Sequence, residues 1–160
     1  MGDAQSGHEK TLTAVLPALA GANLIYGLGM LESGVTFDYG QLVMDDEFAR
    51  MIKHCVLGIP VNDETLAVED IAQVGSFGDF LSLDATLRHM RQQSQPKLID
   101  RRVREEWKMM GATDMHARAH AKALEILESH HPESLPDDVA AEIRNIVVGA
   151  EKELGVTAAV

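Results

Sequence analysis

The segment Asn23-Leu-Ile-Tyr-Gly-Leu-Gly-Met-Leu-Glu-Ser-Gly34 constrains this chain more than any other. It separates two amphipathic helical patterns, and it has neither the length nor the composition of a helix. Upstream, Leu12, Val15, Leu16 and Leu19 recur at helical spacing and predict a helix over residues 5–20, in which Pro17 removes a donor and should introduce a kink. Downstream, Asp38 is placed to cap a helix reaching Leu57, with Leu42, Val43, Phe48, Met51, Ile52, Cys55 and Val56 as its buried face. Gly58 and Pro60 stop that helix. Between the two, Leu24-Ile25-Tyr26 is too short an apolar run for a helix and is bounded by Gly27 and Gly29. It reads as a strand over residues 24–29 that opens into a glycine-rich loop carrying one aromatic ring and one carboxylate. In βα-repeat proteins the loop after the carboxyl end of a strand is where active sites are assembled.

The rest of the chain reads as helical. Asn62 or Asp63 caps a helix over residues 64–74 with the stripe Leu66, Ile71 and Val74, and Gly75 to Gly78 breaks it. Ser82 or Asp84 starts a helix through about Met90, and Gln92 to Lys97 is a polar connector. Asp100 opens a charged helix holding Val103, Trp107 and Met110, closed by Gly111. Two more helices are expected over residues 114–129 and 136–154, followed by a loose tail over residues 156–160. The reading is therefore mostly α with one short strand. A lone strand leaves backbone donors and acceptors without a sheet partner, and no second strand is legible, so its partners are expected elsewhere.

At 160 residues the chain is long enough for one hydrophobic core. Aromatic residues make up only 4%, so Leu, Val, Ile, Ala and the eight Met must supply it. A net charge of -11 argues against nucleic-acid phosphates and against an anionic membrane surface as partners. The single cysteine, Cys55, excludes an intrachain disulfide, fits a reducing cytoplasm, and is expected to be buried and inert. No run is long enough to span a membrane, and no signal peptide opens the sequence. Met1-Gly-Asp-Ala-Gln-Ser6 fits the myristoylation pattern formally, a short match that is common by chance.

Several blocks, in order, resemble the corrinoid-dependent trimethylamine methyltransferase family. They are Ser6-Gly-His-Glu-Lys10, Leu16-Pro-Ala-Leu-Ala-Gly-Ala-Asn23, the segment 24–34, Gln41-Leu-Val-Met-Asp45 and Gly58-Ile-Pro-Val-Asn-Asp-Glu-Thr-Leu-Ala67. Val74-Gly75 with Asp79-Phe-Leu-Ser82, and Pro96-Lys-Leu-Ile-Asp-Arg101, continue the match, which weakens after about His130. The resemblance implies the carboxyl-terminal third of a (β/α)8 TIM barrel. Residues 1–58 would be the last repeat (helix seven, strand eight, helix eight), and residues 59–155 a helical extension. Strands one and seven of such a barrel would then be the missing partners of the strand at 24–29.

The family moves a methyl group from a methylated amine to the Co(I) corrinoid of a separate protein. By resemblance this chain binds no cofactor itself, and pyrrolysine, in the branch that uses it, lies upstream of these residues. A frame left downstream of an amber codon read as a stop, an expressed fragment and a truncated gene are three origins for such a chain, and in each it should be inactive alone. Implied partners are a corrinoid protein, the upstream part of the same barrel and further copies of the chain. The rival reading is a non-catalytic helical module that docks to a corrinoid protein or sister subunit. An upstream barrel-coding frame, in phase and ending in TAG, distinguishes the two.

On this template Tyr26 and Met30 are the candidate substrate-binding residues and Glu32 the candidate catalytic one. A tyrosine ring can face a methylammonium cation, and a carboxylate can balance its charge or hold a proton. The Tyr-Gly-x-Gly-Met-Leu-Glu pattern looks like the trimethylamine branch rather than the glycine betaine branch. Gly27, Gly29 and Gly34 are assigned to tight backbone turns.

Other constellations carry less. His116 and His120 have a metal-clamping spacing, but no acid completes the set, and a solvated face is the simpler reading. His130-His131 at a helix end complements terminal carbonyls. Asp100-Arg-Arg-Val-Arg-Glu-Glu-Trp107 alternates its charges, as an ion-paired helix surface does. Gly27-x-Gly29 lacks the third glycine of a dinucleotide fingerprint.

Overall fold

The computed structural model describes residues 2–156, so most of the expected tail lies outside the described residues. Helix α1 (Ala4–Leu19) begins where Asp3 accepts a hydrogen bond from the Ser6 amide at 3.1 Å, and it ends two residues after Pro17. Helix α2 (Tyr39–Val56) begins at Asp38, whose carboxylate accepts from the Gln41 amide at 2.5 Å. These two helices follow their expected bounds to within a residue or two because each carries its own cap and apolar stripe. They pack on each other: a Cβ added at Gly7 would lie 3.7 Å from the Phe48 ring.

The strand expected at residues 24–29 does not form. Residues 24–27 have no ladder partner among the described residues, and pairing starts at Met30. Strand β1 (Met30–Leu31) runs antiparallel to β2 (Thr36–Phe37), with Met30 opposite Phe37 and Leu31 opposite Thr36. The expectation that the chain holds a single strand without a partner of its own is thereby corrected. Its cause is local: Glu32, Ser33 and Gly34 all take left-handed backbone, with φ of 52, 55 and 89°. Successive left-handed residues reverse the chain within a single 3-10 turn, Glu32–Gly34, and satisfy the short ladder on the spot.

Past α2 the helices are shorter than their patterns suggested. The helix expected over residues 64–74 is two, α3 (Asp63–Leu66) and α4 (Val68–Val74), divided at left-handed Ala67. Asn62 and Thr65 form a reciprocal capping box, and the Thr65 hydroxyl also donates to the Pro60 carbonyl at 2.8 Å. Helix α5 is Asp84–His89 and α6 is Arg104–Met109, the latter starting four residues after Asp100, whose carboxylate turns back onto the Arg102 amide instead of capping. Helices α7 (Met115–Ser129) and α8 (Asp137–Leu154) match expectation.

The chain divides into two units, Met1–Glu128 and Ser129–Val160. In the first, the buried apolar side chains among the described residues are Met44, Ile52, Ala119 and Ala123. The amino end of α2 sits against α7, where a Cβ on Gly40 would lie 3.6 Å from His120 backbone. Cys55, expected to be buried, is exposed. The last turn of α2 runs beyond its cover, as the exposure of Val56 and Leu57 also shows. In the second unit, α8 carries Val139, Ile143, Ile146 and Val147 on its surface.

Candidate functional site

The loop between α1 and α2 is held from beneath by one carboxylate. Asp45, on the second turn of α2, is 6% exposed. Its Oδ2 accepts from Lys10 Nζ at 2.6 Å and from the Gly29 amide at 2.8 Å, and its Oδ1 accepts from Gln41 Nε2 at 2.6 Å. Gln41 is fully buried, and its Oε1 in turn accepts from the Ser6 hydroxyl at 3.0 Å. Lys10 also reaches the Gly27 carbonyl at 3.4 Å. Burying a charge without partners is strongly unfavourable, and here the carboxylate has three donors.

Gly29 is where this loop tolerates least change. Its φ is +78°, and a Cβ would lie 2.7 Å from Phe37 Cε2 and 3.1 Å from Leu42 Cβ. Its amide donates to Asp45, and its carbonyl accepts from the Asp38 amide at 2.9 Å. Gly29→Ala is therefore expected to cost at least about 2 kcal/mol, combining left-handed strain with a ring clash. Hydrogen exchange should show the Asp38 amide losing its protection; an unchanged rate would remove the steric account.

Above this anchor lies a groove of about 970 Å³ between α1, α2 and residues 22–34. Tyr26, Gly27, Met30, Glu32 and Gly34 all line it, as do Lys10 and Asp45. Of the candidate residues in the 26–34 loop, only Gly29 is left off the wall, and it is buried. Tyr26 is 82% exposed, on an unpaired extended stretch and not on the strand assigned to it. Glu32 is exposed on the turn, and its Oε2 accepts from the Thr36 hydroxyl at 2.8 Å. Met30 is half-exposed, with its thioether over Gly27 and Gly34. An aromatic face, a thioether and an exposed carboxylate on one wall can hold a small organic cation.

Sequence reasoning passed over Lys10, Gln41, Asp45 and Glu47. The last is 4% exposed, and its Oε1 accepts from three consecutive amides, Lys97 and Leu98 at 2.7 Å and Ile99 at 3.1 Å. One signal was available: Glu47 stands three residues from Met44 and four from Met51, on the apolar side of its helix.

The remaining constellations do not join this groove. His116 is half-buried against Gly2, and His120 is exposed. Among the described residues no group of three or more His, Cys, Asp or Glu side chains is arranged to hold a metal ion. Asp100, Arg102, Arg104, Trp107 and Arg118 line a separate, open concavity of about 510 Å³. There the Arg102 amide, followed by its guanidinium, keeps the Asp100 carboxyl below its ordinary range. Trp107 Nε1 donates to the Thr113 carbonyl at 2.9 Å. Among the described residues no helix is long and apolar enough to cross a membrane.

The family model for trimethylamine methyltransferase (MTTB) matches residues 1–155. The chain is 58% identical over 154 residues to the trimethylamine methyltransferase MttB of Desulfitobacterium hafniense, covering 96% of this chain and 31% of that protein. It is 45% identical over 150 residues to MttB1 of Methanosarcina mazei, covering 94% and 30%. It is 30% identical over 155 residues to a glycine betaine methyltransferase of Desulfitobacterium hafniense, covering 96% and 32%. The chain thus spans about a third of the length of the curated relatives it matches. Matched over nearly all its length, the chain belongs to the trimethylamine methyltransferase family.

Proposed function

We propose that these residues serve a methyltransferase that takes a methyl group from trimethylamine, or a related methylated amine, and passes it to the Co(I) corrinoid of a partner protein. In the whole protein they would form the last helix–strand–helix of a (β/α)8 barrel together with a helical extension. The 160 residues alone would lack turnover. The observation that carries the reading is that Tyr26, Met30 and Glu32 share one groove wall in a member of this family.

The division of labour follows from charge. In an ammonium substrate the C–N bonding pair stays with nitrogen as the methyl leaves, so a cation becomes a neutral amine. Tyr26 would face the cation with its ring, and Glu32 would balance the positive charge before transfer. Once that charge is gone, both attractions fall and the product is released. Binding and orientation are the tasks of this chain's residues, since displacement at carbon needs the methyl aligned with its acceptor.

In the whole protein, Tyr26→Ala should lower kcat/KM for trimethylamine by the about 0.5–2 kcal/mol of a cation–π contact, whereas Tyr26→Phe should retain most of it. Glu32→Gln, which keeps shape and removes charge, should lower methyl transfer with little change in melting. Rates of corrinoid methylation, read alongside melting curves, provide the check. Unchanged rates in Tyr26→Ala and Glu32→Gln would remove both from the chemistry, and a large loss of stability would mark either as a packing residue.

A further inference from the structure

We infer that Asp45 is a positioning residue of this groove, acting through Lys10 and the backbone of Gly27 and Gly29 to fix the wall that carries Tyr26 and Met30 and to cancel the charge of Lys10 beneath it; this deepens the proposed function and rests on it. Lys10 comes from α1, Asp45 and Gln41 come from α2, and the Gly27 carbonyl and Gly29 amide come from the loop. Three donors, from Lys10, Gln41 and Gly29, meet at the Asp45 carboxylate, and the Gly27 carbonyl is tied to it through Lys10. Gly27 directly follows Tyr26, and Gly29 directly precedes Met30. The two groove-lining side chains are therefore pinned on adjoining backbone, with Leu28 between the pins.

The same contact sets the charge of the groove. Lys10 and Asp45 lie 2.6 Å apart, with side chains 21% and 6% exposed, and both line the cavity. Paired, they are neutral toward a ligand, and Glu9, Glu32 and Lys53 supply the remaining charge of the lining. Without the Asp45 carboxylate, an unmatched ammonium would stand below the loop and repel a cationic amine. Asp45→Asn also turns one acceptor into a donor that must face Gln41 Nε2, Gly29 N or Lys10 Nζ, each itself a donor. Asp45 thus has two separable effects, one on loop order and one on charge.

Two measurements separate them. In the whole protein, hydrogen exchange at the Gly29 amide should be at least about tenfold faster in Asp45→Asn, with the amides of Met44 and Ile52 unchanged. In the whole protein, Asp45→Asn should raise KM for trimethylamine at least about tenfold, and adding Lys10→Met should recover most of that rise because it removes the unmatched ammonium. A merely structural contact predicts the reverse for the double variant, since a second anchor is lost. An unchanged Gly29 exchange rate, or a double variant no better than Asp45→Asn, overturns the inference. If Asp45→Asn also accelerates exchange at Met44 and Ile52, Lys10→Met alone, which keeps the carboxylate, must speed Gly29 exchange, and its failure to do so overturns the inference equally. If the unsubstituted whole protein transfers no methyl group, the proposed function fails, and the exchange measurements still decide the role of Asp45 in ordering the loop.

Discussion

Replacing Glu47 with alanine is expected to detach residues 97–99 from α2 and to speed exchange of their amides about 100-fold. Three consecutive N–H groups converge on one carboxylate oxygen. The three amides are part-buried, and a donor left without a partner costs up to about 1–3 kcal/mol, so the segment will open to water before it accepts three such losses. Opening at a cost of about 3 kcal/mol corresponds to roughly that hundredfold change in exchange. The effect should reach further, because Arg118 on α7 donates to the Leu98 carbonyl at 2.9 Å and would lose its acceptor when the segment leaves. Glu47→Gln keeps an acceptor oxygen without the charge, and charged acceptors bind about twice as strongly as neutral ones, so it should fall between the two. Exchange at Lys97, Leu98 and Ile99, followed residue by residue, checks all of this. Equal rates in Glu47→Ala and the unsubstituted chain would show that the clamp contributes nothing.

The helices of this chain were legible where stripe and cap coincide. For α1 and α2, Asp3 and Asp38 each hold a first-turn amide, and the apolar residues repeat over about two turns in α1 and about four in α2. Legibility failed where tertiary or loop chemistry decides. Ala67 takes a left-handed conformation that no propensity favours, and it splits one expected helix into two. Asp100 looked like a cap but spends its carboxylate on Arg102. The strand expected at 24–29 has a short apolar run bounded by glycines, yet pairing is a non-local property: Met30 and Leu31 found Thr36 and Phe37 only because residues 32–34 turn the chain left-handedly. Ser33, with a β-carbon and φ of 55°, gives no hint of this in sequence.

The site divides along the same line. The groove-facing residues were readable because a glycine-rich loop with one ring and one carboxylate is unusual in a chain so poor in aromatics. The residues behind them were not, since Lys10 and Asp45 stand 35 positions apart and each looks like an ordinary polar residue of an amphipathic helix. A buried carboxylate announces itself in sequence only by falling on an apolar face, as Glu47 does between Met44 and Met51. Asp45 is masked further by Asp46 beside it, which is exposed and paired with Arg50 across one helical turn.

The 160-residue chain, purified by itself, is expected to self-associate with rising concentration and to melt without a sharp transition. In the Met1–Glu128 unit the buried apolar side chains among the described residues are two large ones, Met44 and Ile52, and two alanines. Full burial of a large aliphatic side chain contributes about 1.5–3 kcal/mol, so this core supports little stability against the entropy of ordering the chain. Meanwhile Leu12, Leu16 and Leu19 of α1 are 45%, 64% and 62% exposed, on the stripe that a barrel helix would bury against strands. On α8, Val139, Ile143, Ile146 and Val147 form another exposed row at helical spacing. Covering both rows in an assembly offers on the order of 10 kcal/mol against the about 4–15 kcal/mol cost of association, a net gain of at most about 6 kcal/mol, so complexes should appear only from about tens of micromolar upward. Changing Leu12, Leu16 and Leu19 together to Gln should lower the weight-average mass in sedimentation at equal concentration, and changing the α8 row should lower it further. A monodisperse monomer with one cooperative melt would show instead that these faces are tolerated in water, and it would remove the physical support for the proposed barrel sheet over α1.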